Sequence, residues 1–201
     1  MKRDIEQLRQ ALLAAGDEHG AAMVADPSSE ITVLPAPFLQ RYRIYRVLYY
    51  SPYKPILLYL GFAPDLPLYS LAGNPQAYYA MAQADGVDLA TVDLAIDYIT
   101  VFLEVTRNMY ELVYQVTSVD QIRFLPKPSH AQVQAKEALT AKYRSTLTAP
   151  SAQVTEDGYT VIAHVVRQQE LERHTFKVRH DGNMEAQITI IEQSMPVVIG
   201  I

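Results

Sequence analysis

The chain has 201 residues, 49% of them hydrophobic and 19% charged, with no cysteine and a formal net charge of −5. That length and balance fit a single α+β domain spanning 1–201 with its own core, and exclude disordered and membrane-spanning chains. The missing cysteine removes disulfides, thiolate metal centres and cysteine nucleophiles, and the acidic balance argues against nucleic acid as a partner.

The first residues are basic, but Asp4, Glu6 and Arg9 interrupt them before an apolar run can build. This predicts no secretory leader and a cytoplasmic protein. The longest apolar run, Pro55 to Ala63, is too short for a bilayer-spanning helix, which needs about 20 residues, so no membrane partner is expected. Ile5, Leu8 and Leu12 are spaced as one face of an amphipathic helix over 3–15, and 1–25 reads as a helical appendage. Residues 26–37, rich in proline, read as a loop with a short extended piece at 31–34.

The stretch RYRIYRVLYYSPYKPILLYLGF follows at 41–62. As a helix it sets Phe38, Tyr42, Tyr45 and Tyr49 on one side; as a strand, Tyr42 to Tyr50 has the right side chains. The compact SPYKP and the apolar run behind it favour a hairpin, with a third strand at 66–71 completing a meander. Arg41, Arg43 and Arg46 then fall on an exposed edge. Tyrosine offers apolar area with a polar tip, which suits an interface, so Tyr45 and Tyr49 are candidate partner-binding residues.

Asn74-Pro75 opens a short helix that Gly86 closes. The next helix, 90–108, is apolar around most of its circumference. Asp93, Asp97, Thr100, Glu104 and Arg107 advance along it in steps of four and three, forming one narrow polar stripe. Asp97 and Glu104 stand about 10 Å apart along the axis. The stripe reads as a solvated face or as the wall of a ligand pocket, with Arg107 for an anion and Glu104 as an acid. Asp97, Glu104 and Arg107 are therefore candidate ligand-binding residues.

A strand is predicted at 111–117, and capping-box spacing recurs at Ser118–Gln121 and Ser129–Gln132, the second opening a helix to Arg144. Residues 148–158 resemble a linker. From 159 to 192 three segments alternate at period two, predicting an antiparallel meander of 159–167, 172–179 and 184–192. The one tempting metal pair is His164 and His174. A three-residue first turn would set them side by side; a four-residue turn over 168–171 puts them on opposite faces. The four-residue turn sorts apolar from polar side chains better, and HDG as a three-residue loop with Gly182 left-handed supports the same sorting. His174 then becomes a core-edge residue with a hydrogen-bond partner, His164 a surface residue, and no metal or other cofactor is expected.

No nucleotide-binding, nucleophile-elbow, zinc-protease or calcium-loop motif occurs. The resulting expectation is a non-catalytic ligand-binding or protein-interaction domain. Its partner would be a second copy, another protein or a small molecule. The alternative is a small enzyme or pocket protein that uses the Asp97, Glu104, Arg107 stripe. The apolar tail MPVVIGI docks either on its own core or on a partner.

Overall fold

In the computed structural model, which describes residues 2–51 and 54–199, the spacing of Ile5, Leu8 and Leu12 winds α1 (Lys2–Ala14). Chain contacts define two units, Met1–Val87 and Asp88–Ile201. Both combine helices with antiparallel strands, and the chain is α+β.

In the first unit, Asp17 accepts the Gly20 N–H at 2.8 Å and starts α2 (Glu18–Ala25), a separate helix that the sequence reading merges into its appendage. Strands β1 (Glu30–Leu34), β2 (Arg43–Tyr50), β3 (Pro55–Phe62) and β4 (Tyr69–Ser70) then form one antiparallel sheet in chain order. Leu8, Leu12, Ala21 and Val24 bury one face of it against Tyr45, Val47, Leu60 and Phe62. Each fully buried leucine, valine or phenylalanine among them contributes roughly 1.5–3 kcal/mol. On the other face lies α3 (Pro75–Asp85), bounded by Asn74 and by left-handed Gly86 as the sequence predicts. Met81 of α3 rests on Gly61 so closely that a Cβ there would collide with its sulfur.

Two expectations change here. Because β2 has a hydrogen-bonded neighbour on each side, Arg43 and Arg46 do not lie on a sheet edge, and Arg41 precedes the strand. The strand expected at 66–71 shrinks to Tyr69–Ser70, since Pro67 cannot donate to a ladder. The SPYKP turn includes Pro52 and Tyr53, which lie outside the described residues.

The second unit begins with α4 (Val92–Val105), capped by Thr91, whose Oγ1 accepts the Leu94 N–H. Then come β5 (Val113–Val116), a 3-10 turn at Val119–Gln121, α5 (His130–Tyr143), β6 (Ser151–Thr155), β7 (Gly158–Arg167), β8 (Glu170–Arg179) and β9 (Met184–Glu192). The capping box Ser129–Gln132 forms in full; at Ser118 it does not, and the Gln121 side chain instead accepts the Thr117 N–H at 2.7 Å. The sheet order is β5-β7-β8-β9, with β6 paired to the other end of β7. The expected linker is thus partly a strand, turned back on itself at Glu156 and Asp157.

The three-stranded C-terminal meander is present, with a correction to its first turn. Arg167 pairs with Glu170, so the turn holds only Gln168 and Gln169, and the register slides by two residues from that of a four-residue loop. Gln168 takes the positive φ, 52°, that such a turn requires. An even slide preserves the faces: Val161, Ala163 and Val165 still share one with His174, Phe176 and Val178. The HDG loop forms as predicted, Gly182 at φ 80° donating to Arg179 O at 3.0 Å.

That face carries α4. Phe102 meets Phe176 edge-on at 6.1 Å, and the Tyr98 hydroxyl donates to Gly182 O at 2.9 Å. The opposite face carries Leu139, Tyr143 and Leu147 over Val116, Val166 and Leu171, joined by Met195 and Val197 from the tail. This layer explains why His164, paired with Val116, is buried and not the surface residue expected. It also places residues 195–197 of the tail on the chain's own core, with Val198 and Ile199 exposed beyond them.

Candidate functional site

The sequence candidates are placed in different surroundings. Tyr45 is 3% exposed and tilts against Phe62 at 6.2 Å, so its ring serves the core beneath α1 and α2. Tyr49 is half-buried. Tyr42 is buried too: its hydroxyl donates to Pro67 O, and burial pushes the phenol up to about 12. Tyr50, at the end of β2, is 48% exposed and donates to Glu30 Oε1 at 2.9 Å. The stripe faces outward, with Asp93 and Glu104 exposed and Asp97 and Thr100 half-buried on α4, but the helix expected to reach 108 ends at Val105, so Arg107, half-buried, lies beyond it. Arg107 Nη1 donates to Val113 O at 3.3 Å, tying the end of α4 to β5.

A charged row that the sequence reading misses runs across the α4 face of the second sheet. Glu172 is 4% exposed and accepts from Arg167 Nε at 3.0 Å and from His174 Nε2 at 2.7 Å. Arg167 Nη1 also reaches Glu111 at 3.0 Å. A carboxylate only accepts, so the neutral imidazole of His174 carries its proton on Nε2. Burial holds the imidazoles of His164 and His174 below the usual histidine range; Glu172 pulls His174 the other way without overcoming the burial. The available signal was the spacing: Glu172 and His174, two apart in a strand, must share a face. The row is closed on itself, because each buried polar group in it has its partner.

An open edge of the sheet lies one strand further on. β9 pairs with β8 on one side and ends the sheet on the other. Ile188 and Ile190 project from it on the α4 face beside His174 and Glu172, yet remain 52% and 45% exposed. The backbone direction follows from the ladder. Arg179 N–H donates to Asn183 O at 2.8 Å, and in an antiparallel pair the hydrogen-bonded residues alternate. Glu185, Gln187 and Thr189 therefore turn their amides to β8, and Ala186, Ile188 and Ile190 turn theirs to the open side. The only irregularity is an extra residue, Ile191, where Leu171 pairs with Glu192 and Glu172 with Ile190. Residues 184–190 run straight.

Among the described residues, no group of three or more histidine and acidic side chains is placed to hold a metal, and no helix is long and apolar enough to cross a membrane. A broad concavity of about 640 Å³ lies at the β6–β7 turn, lined by residues including Tyr159, Lys177, Arg179 and Glu185 but by none of the stripe. Comparison of the chain with family models, with curated proteins and with solved structures yields no match.

Proposed function

We propose that the chain is a non-catalytic protein-interaction domain whose docking surface is the open side of β9. The observation that carries this reading is the run Ala186 to Ile190: straight, uncharged, with unpaired backbone groups on one side and two half-exposed isoleucines above them. Protein sheets blunt such edges with lysine, proline, bulges or a covering loop, because an unprotected one recruits another strand. Here lysine and proline are absent from the strand, and the bulge comes only at its far end. A strand added there gains main-chain hydrogen bonds for affinity and the isoleucine side chains for selectivity.

A photo-crosslinking amino acid at position 188, introduced in the producing cells, tests this. Position 137, exposed on α5, serves as the control. The reading requires discrete protein adducts from 188 at a yield at least several-fold above that from 137. Equal yields at the two positions refute it.

A further inference from the structure

We infer that Asp157 is a site of spontaneous modification: in the folded protein it converts to isoaspartate through a cyclic imide formed with Gly158. The chain carries three Asp-Gly pairs, Asp85-Gly86, Asp157-Gly158 and Asp181-Gly182. Each has what this reaction needs, a carboxyl group and, one residue on, a backbone nitrogen that no side chain shields. The Gly158 nitrogen bonds to Asp157 Cγ, and the carboxyl hydroxyl leaves as water with the amide proton. Water then reopens the imide. Attack at the original main-chain carbonyl breaks its bond to nitrogen, routes the chain through Cβ and Cγ, and frees the α-carboxylate. Water is the only co-reactant.

The surroundings separate the three pairs. Asp85 is buried, and its oxygens accept the N–H groups of Gln40, Arg41 and Tyr42, while Gly86 N–H donates to Ala82 O and Gln83 O at 3.1 Å. Asp181 is exposed but engaged. Its carboxylate accepts the Asn183 N–H at 2.9 Å and Nδ2 at 2.7 Å, and the first of these bonds leads in holding it below the usual carboxylate range. The turn around it is fastened as well, by Leu89 N–H on His180 O at 2.8 Å and by the Tyr98 hydroxyl on Gly182 O at 2.9 Å. Asp157 is exposed, and its carboxylate has no hydrogen-bond or ion-pair partner among the described residues. Both hairpins place the attacking amide alike, Gly158 opposite Thr155 and Gly182 donating to Arg179 O. What differs is the freedom of the carboxylate and of the turn. β6 is five residues long, mostly exposed and paired to β7 alone, so bending the turn disturbs one short ladder.

The neighbouring strand keeps the reactive pair in place. Gly158 has φ 150°, and an added Cβ would fall on Val178 O, so no other residue fits behind Asp157. Isoaspartate adds one main-chain atom between Thr155 and Gly158. It also replaces a side-chain carboxylate by a main-chain one on the wall of the concavity that Lys177 and Arg179 line. That new carboxylate is the group methylated by the class of enzyme that acts on isoaspartate with S-adenosylmethionine.

The full chain is held for weeks at body temperature and mildly acidic pH, beside a sample kept unfolded in guanidinium chloride. Peptide mapping with isoaspartyl methyltransferase labelling then reads each Asp-Gly pair. The expected result is isoaspartate at 157 several-fold above that at 85 or 181 in the folded sample, and comparable conversion at all three in the unfolded one. Asp157→Glu, which would need a six-membered ring, should abolish the signal at this position and leave the other two unchanged. Asp157→Asn, which expels ammonia in place of water, should convert faster than the wild type. Conversion at Asp181 equal to or above that at Asp157 in the folded sample overturns the inference, as does a folded sample in which Asp157 stays unmodified.

Discussion

Replacing Glu172 by alanine probes the buried charged row. The substitution strips the acceptor from His174 Nε2, where both side chains are 5% exposed, and from Arg167 Nε, where the arginine is 35% exposed. Leaving the buried histidine donor without a partner costs about 1–3 kcal/mol. The arginine keeps water and Glu111, so its loss adds no more than about 1 kcal/mol. The sum is roughly 1–4 kcal/mol, or a fall in Tm of roughly 4–16 °C at about 4 °C per kcal/mol. Urea unfolding followed by far-UV circular dichroism suits a chain without tryptophan, and amide exchange in β7 and β8 localises the effect. Glu172→Gln keeps an acceptor for one partner and should lose about half as much. If Glu172→Ala stays within about 0.5 kcal/mol of the wild type, the carboxylate is not what satisfies His174, and the closed row is misread.

Three further outcomes are expected. His164 and His174 both titrate below the unfolded value of about 6.5, so the unfolded chain binds more protons below that pH. Their contribution is complete above about pH 6.5 and is lost as pH falls toward the folded values; urea midpoints at pH 8 and 5.5 should differ, and His174→Gln should narrow the gap. Gly182→Ala should cost about 1–3 kcal/mol, because φ is 80° and an added Cβ would stand 3.1 Å from the Tyr98 hydroxyl, which thermal melts of the variant report. Asp85→Ala should cost about 3 kcal/mol or more by urea titration, since Asp85 accepts the N–H groups of Gln40, Arg41 and Tyr42 at 2.6, 2.8 and 2.9 Å.

Much of the fold was legible where local chemistry and tertiary demand agree. Asn74, Pro75 and Gly86 mark both ends of α3, and period-two alternation marks β7, β8 and β9. The first hairpin turn was not legible because Gln168 takes a left-handed conformation that glycine or asparagine would have signalled. Its error was two residues, so the faces came out correctly although the pairs did not. β6 was missed because SAQVT is exposed along most of its length and carries little apolar alternation. Burial of His164 depends on a layer contributed by α5 and the tail, far away in the chain. The open side of β9 was equally out of reach: the alternation of Met184, Ala186, Ile188 and Ile190 predicts an apolar face, but which strand ends the sheet is a property of topology.

The three amides held by Asp85 have a consequence for the order of assembly. Asp85 lies 43 to 45 residues after its partners and almost at the end of the first unit, whose last residue is Val87. During synthesis the segment entering β2 therefore waits for nearly all of its unit before its N–H groups find their acceptor. A chain stopped at residue 84 would carry every strand of the first sheet and still lack the contact that fastens β2 at its start. Loop closure over such a distance is repaid only once α3 is in place.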